Sequence, residues 1–188
     1  MAESAYGERV KGDERLRMRF HLVDRIVEVK PGRSLKAIKN LTLGEEYLAD
    51  HFPTFPVMPG VLMLQTLVEA GAWLLRLTDD FKHSIIVLRE ARNVKYGTFM
   101  EPGRQMAVTV ELLERNGALA VIRGKGQTNG NSTVSAKLTL GAYCLADQDL
   151  ALLPLDERIV HNLRRHCALL QGNVALKSTP EVPDDVNP

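Results

Sequence analysis

Cysteine is scarce. Cys144 and Cys167 are the two in 188 residues, and their spacing forms no metal-like cluster. That argues against a disulfide framework and for a reducing setting. Excess charge is missing too. Charged residues make up 25% of the chain and the formal net charge is +1, so there is no basic stripe of the kind that binds nucleic acid. Long apolar runs are absent. The longest, Val57 to Leu64, contains Pro59-Gly60 and falls far short of the roughly 20 residues a membrane span needs. The N-terminal MAESAYGERVKGDERL is polar and does not resemble a secretory leader. The expectation is a cytoplasmic protein with no disulfide, metal, nucleic-acid partner or membrane span.

What is present is a core. Hydrophobic residues are 45% of the chain, enough for one domain of ordinary size. Phe20 to Val29 is rich in apolar and β-branched residues and ends at the turn signal Lys30-Pro31-Gly32. Ser34 to Leu43 alternates, with Leu35, Ala37, Lys39, Leu41 and Leu43 on one side, and reads as a half-buried strand. Pro53, Pro56 and Pro59 forbid regular structure up to Gly60. Val61 to Leu77 is free of proline and apolar on nearly every side, the pattern of a buried helix. Strand-like runs follow at Ser84–Leu88, Asn93–Phe99, Gln105–Glu114, Ala118–Gly126 and Ser132–Leu140. Asn116-Gly117 is a hairpin marker of type I′, and Asn129-Gly130-Asn131 is a further turn signal. This order predicts an α+β fold, a long helix against an antiparallel sheet.

Residues 151–188 differ in character. Asp156 is the expected N-cap of a helix whose Ile159, Val160, Leu163, Cys167 and Leu170 share a face, with Gly172 at its C-terminal end. The expected organisation is a polar lead-in over 1–15, a main domain over 16–145, a helical extension over 146–176 and a disordered tail over 177–188.

The chemistry concentrates between His51 and Arg76. His51 precedes a proline-fixed turn that feeds a helix start, and histidine is the usual general base near neutral pH. Peptide N–H groups at Gly60 and just beyond lack intrahelical partners and can hold an oxyanion, or Pro59-Gly60 merely starts a helix. Gln65, Glu69 and Arg76 fall on one stripe of that helix. Burying them costs several kcal/mol unless they pair or line a wet cavity. The stripe is an internal polar network, a subunit interface or the wall of a substrate tunnel. Of the remaining polar residues, His21, His83, His161, His166 and Asp24 read as structural or exposed, and Arg164 and Arg165 as a solvated face.

The run His51-Phe52-Pro53-x-x-Pro56-Val57-Met58-Pro59-Gly60-Val61-Leu62 resembles the active-site motif of the β-hydroxyacyl-acyl-carrier-protein dehydratases of type II fatty acid synthesis. Leu22-Val23-Asp24-Arg25 and the stretch Asn93-Val94-Lys95-Tyr96 through Glu101-Pro102-Gly103 are similar to two further family elements, so the resemblance covers about residues 15 to 140. It implies the hotdog fold and a homodimer or trimer of dimers with sites between protomers. The implied substrate is a (3R)-hydroxyacyl thioester on an acyl carrier protein, which loses water to give a trans-2-enoyl thioester without any cofactor. His51 would be the base. The Gly60 N–H would polarise the thioester carbonyl, with Phe52, Pro59 and Val61 around the bound substrate.

One departure stands out. The family places a carboxylate fourteen residues after the histidine, where this chain has Gln65, and typically a glutamine one turn later, where this chain has Glu69. Glutamine holds a hydroxyl by hydrogen bonds but delivers no proton as a carboxylic acid does. Three explanations stand at this level. Glu69 takes over the acid role, directly or through water. His51 handles both proton steps while Gln65 orients the hydroxyl. Or the protein is a weakened homologue that binds acyl thioesters or completes a hetero-oligomeric dehydratase. A hotdog thioesterase, with Glu69 activating water, is a weaker alternative.

Overall fold

The computed structural model describes residues 21–172. The expected lead-in and disordered tail lie outside them. Six strands and two α-helices follow in the order β1 (Arg25–Lys30), β2 (Ser34–Asn40), α1 (Gly60–Thr78), β3 (Ile85–Tyr96), β4 (Gln105–Asn116), β5 (Leu119–Thr128), β6 (Asn131–Tyr143) and α2 (Leu153–Leu170). The strands form one sheet in the order β1-β2-β4-β5-β6-β3, every neighbour antiparallel. The helix and sheet pack as the hotdog fold requires.

The alternation seen in sequence produces this packing. Inward residues Leu35, Ala37, Met106, Val108, Val110, Ile122, Val134, Leu138 and Leu140 are buried and meet Leu67, Ala70, Trp73 and Leu74 of α1 in one core. Each fully buried Val, Leu, Ile or Met among them contributes about 1.5–3 kcal/mol. Lys39, on the inward side of β2, is buried as well; its ammonium lies 2.6 Å from Glu45 and 3.9 Å from Asp24. Asp24 in turn accepts the Asn40 N–H, a structural role.

Several details differ from the expectation. The first strand begins at Arg25, and β2 ends at Asn40, short of Leu43. The two runs expected at 84–88 and 93–99 are one strand, β3, whose pairing with β6 slips between Leu88 and Glu90 and between Arg92 and Lys95. Asn93, at φ 52°, marks the second slip, a β-bulge that broke the alternation in sequence. The type I′ turn sits at Asn129-Gly130, where both central residues have positive φ. In the β4–β5 hairpin the central pair is Gly117-Ala118, and only Gly117 has positive φ, the type II′ pattern.

Helix α1 is not enclosed all round. Its C-terminal half is buried from Ala70 to Leu75, but Val61 is 68% exposed and Gln65 is exposed too. It is long and apolar enough to cross a membrane by length and composition, yet it is the core helix of this sheet.

The extension packs back on the core through Val160, Leu163, Cys167 and Leu170, and Gly172 follows the helix with φ 70°. Asp156 is not its N-cap. The helix starts at Leu153 with Leu152 before it and proline in the first turn, and Asp156 turns inward, buried. Its carboxylate accepts the Ser84 hydroxyl and the N–H groups of Leu145 (3.0 Å) and Ala146 (2.8 Å). Burial pushes this carboxyl up, but these hydrogen bonds outweigh it and hold it below the usual carboxylate range. Arg164 does not face solvent freely. It donates to Asp80 Oδ1 and O at 2.9 and 2.7 Å and stacks over Phe81, pinning α2 to the end of α1. His83, expected to be exposed, is half-buried, 3.7 Å from Asp79.

Candidate active site

The loop before α1 is built by its prolines and by three backbone hydrogen bonds. His51 N–H donates to Tyr47 O (3.1 Å), Phe55 N–H to Phe52 O (2.8 Å) and Met58 N–H to Met100 O (2.8 Å). Phe52 takes φ 53°, a left-handed conformation that a bulky residue adopts only when its surroundings impose it. Here it reverses the chain and sets the His51 ring edge-on to the Phe52 ring at 4.4 Å.

The His51 side chain is half-buried and its Nδ1 lies 2.8 Å from the Val57 carbonyl oxygen. A carbonyl only accepts, so Nδ1 carries a proton, and in the neutral ring Nε2 presents the lone pair. That is the tautomer a general base needs.

Pro59 caps α1 without a side-chain hydrogen bond, and its carbonyl accepts from Leu62 (2.9 Å) and Met63 (3.1 Å). The N–H groups of Gly60 and Val61 therefore point out of the first turn at the positive end of the helix dipole. A Cβ at Gly60 would lie 3.0 to 3.3 Å from three ring atoms of Tyr96, a tight contact that the ring relieves only by shifting a few tenths of an ångström. Glycine thus lets the Tyr96 ring lie against the helix start in its present place, and the backbone there stays approachable. Sequence reasoning did not single out Tyr96. Phe52, Phe55, Phe99 and Val61 are exposed apolar residues on the same loop, helix start and following strand end, with Phe55 and Phe99 edge to face at 5.9 Å.

The Gln65–Glu69–Arg76 stripe is divided. Gln65 is exposed. Glu69 points to the N-terminal segment, where its Oε2 accepts the N–H groups of Leu22 (2.7 Å) and Val23 (3.2 Å). Its Oε1 lies 3.4 Å from Trp73 Nε1 and 3.7 Å from His21 Nδ1. Glu69, one of the alternatives for the acid, lies one turn from Gln65, and one of its carboxylate oxygens is engaged by the backbone ahead of β1. Arg76 lies over the Trp73 ring at 5.2 Å, and burial pushes its guanidinium down to about 10 against the opposing pull of Glu69. Two residues read as structural in sequence join this end. The His21 ring stacks on the His166 ring at 4.0 Å, and His166 lies 5.5 Å from Trp73. His166 sits one helical step from Cys167, on the face Leu163–Cys167–Leu170 that packs on the core. That spacing is the signal by which it could have been found.

Comparison with known proteins agrees with this geometry. A FabA-like domain matches residues 16–137. The 3-hydroxyacyl-[acyl-carrier-protein] dehydratase FabZ of Geobacillus thermodenitrificans is 33% identical over 119 residues, covering 63% of this chain and 82% of the relative. That of Bacillus subtilis is 32% identical over 120 residues, covering 64% and 85%. Among solved structures, the dehydratase heterocomplex ApeI:P from Xenorhabdus doucetiae superposes with a TM-score of 0.58 at 14% identity, covering 71% of this chain and 90% of that one, a likeness of fold. A domain match over more than half of the chain, with relatives above 30% identity of which the chain covers more than four fifths, has one consequence: the chain belongs to the FabA-like family, among the FabZ-type 3-hydroxyacyl-[acyl-carrier-protein] dehydratases.

Proposed function

We propose that this protein removes water from a (3R)-hydroxyacyl thioester carried by an acyl carrier protein, giving a trans-2-enoyl thioester in fatty-acid or related acyl-chain synthesis in the cytoplasm. The observation that carries the reading is the His51 Nδ1 to Val57 O hydrogen bond, which leaves Nε2 as a base at the foot of an amide-lined helix start. In the reaction, Nε2 takes the proton α to the thioester. Charge moves to the carbonyl oxygen, where the Gly60 N–H and the dipole of α1 stabilise it. The bond from C3 to its oxygen breaks, the C2–C3 double bond forms, and protonated His51 returns its proton to the departing oxygen, which leaves as water. Gln65 holds that hydroxyl by its amide. Phe52, Pro59 and Val61 shield the thioester from solvent. No step requires a cofactor.

Glu69 has no proton-transfer step in this reading, because its carboxylate is bound to the Leu22 and Val23 peptides. The same engagement speaks against a thioesterase that would use Glu69 to activate water. The exposed Val61 and Gln65, one turn apart beside Phe55 and Phe99, suit coverage by a second copy. The assembly we propose is a homodimer or trimer of dimers in which Gln65 faces the partner's copy of the histidine. In it residues 16–145 are the dehydratase unit and 146–176 the helical extension.

The test is turnover of a 3-hydroxyacyl carrier-protein thioester by purified protein, compared with His51→Ala. A second reading rests on Gln65: a weakened homologue that binds such thioesters or completes a hetero-oligomeric dehydratase with a carboxylate-bearing partner. Activity that appears only on mixing with such a partner would select it.

A further inference from the structure

His21, Glu69 and His166 come from three separate parts of the chain: the segment before β1, the middle of α1 and the extension helix α2. One ligand atom from each lies within 4.8 Å of the others. We propose that they form a binding site for a first-row transition-metal cation, zinc by its donor set, which clips the N-terminal segment and the extension to the central helix. None of the three residues has a proton-transfer or substrate-holding role in the dehydration proposed above.

Three observations carry this. The first is the donor set. Two imidazoles and one carboxylate match the nitrogen and oxygen ligands of zinc, whereas calcium and magnesium require shells of oxygen. The second is orientation. Glu69 Oε2 is held by the Leu22 and Val23 N–H groups, which aims Oε1 at His21. Hydrogen bonds of this kind from outside the ligand set hold a metal-binding carboxylate in place. The third is reach. Zinc bonds of about 2.0–2.1 Å set ligand atoms roughly 3.3 Å apart in a tetrahedron. The three ligand atoms lie within 4.8 Å of one another and draw closer on binding, and His21, which is exposed, leaves its stack on the His166 ring so that its ring nitrogen faces the same ion. Its exposure also leaves the fourth position to water.

The experiment is titration of ZnCl2 into chelator-treated full-length protein by calorimetry, with CoCl2 as a spectroscopic probe. One ion per chain is expected, with visible cobalt bands of tetrahedral type and a thermal midpoint that rises with zinc. Glu69→Gln and His166→Ala are each expected to weaken binding at least tenfold while far-UV circular dichroism shows them folded. Glu69→Gln keeps an oxygen for the Leu22 and Val23 peptides, so it tests the ligand without removing the tie. Absence of binding, or equal affinity in both folded variants, would overturn the proposal.

Discussion

His51 Nδ1 is 2.8 Å from the carbonyl oxygen of Val57, six residues on, and this bond makes the loop a reactive arrangement as well as a rigid one. It spends the ring's one N–H on the backbone and leaves Nε2 basic. His51→Gln is therefore expected to fold, since the side chain amide still reaches Val57 O, yet to lose roughly 10²–10⁴-fold in kcat, the usual value of a general base. Steady-state assays with thermal unfolding as a control check this. Retained turnover would move the base elsewhere.

Gln65 reports on how the departing hydroxyl is handled. If it only orients the hydroxyl, Gln65→Leu costs about tenfold in kcat/KM, the worth of one hydrogen bond of about 1.4 kcal/mol. Gln65→Glu then changes kcat by no more than about that factor. A gain of orders of magnitude in Gln65→Glu would favour the second reading, in which the chain lacks an acid that a partner supplies.

The Gly60–Tyr96 contact separates steric from electrostatic effects. Gly60→Ala puts a Cβ 3.0 Å from the Tyr96 ring, so the ring must move. Lower kcat with little loss of stability is expected, because Tyr96 is half exposed and the substitution itself suits a helix. The double variant Gly60→Ala/Tyr96→Ala removes the clash. If it stays impaired, the Cβ itself blocks access to the helix N–H groups; full recovery would confine the effect to the ring.

Glu69 ties α1 to Leu22 and Val23, both buried. Glu69→Ala leaves two buried N–H groups without an acceptor and is expected to cost about 1–3 kcal/mol in denaturant unfolding. Glu69→Gln keeps an acceptor and costs less. Loss of catalysis by orders of magnitude in a folded Glu69→Gln would return the acid role to Glu69.

Asp156 makes the docking of α2 sensitive to acid. Its carboxyl is held below the ordinary 3.8, so its stabilising effect is present above that value and is lost as the pH falls through the lowered one. Unfolding midpoints should hold steady in this respect from pH 6 to near pH 4 and fall below that, and Asp156→Asn should flatten the fall below pH 4 while lowering the midpoint at neutral pH. A parallel decline in both proteins would contradict this.

Much of this was legible in sequence because local patterns decided it. The proline-limited start of α1, the alternation of β2, β4, β5 and β6, and the run from His51 to Leu62 depend on neighbours a few residues away. What was not legible depended on distant partners. The bulge at Asn93 split β3 into two apparent strands. Asp156, with the composition of a cap, was claimed by Ser84, 72 residues away. Glu69 matched Gln65 in helical phase, yet the chain before β1 reaches it and leaves Gln65 exposed. His21 and His166 looked unremarkable apart because the fold brings them together.

The central claim is that this chain dehydrates hydroxyacyl thioesters through His51. The most direct measurement is single-turnover conversion of a (3R)-hydroxyacyl carrier-protein thioester, followed by mass spectrometry of the carrier protein. Loss of one water from the acyl chain with the wild-type protein, and none above background with His51→Ala, is the expected result. Equal conversion by both proteins, or none by the wild type alone, would contradict it.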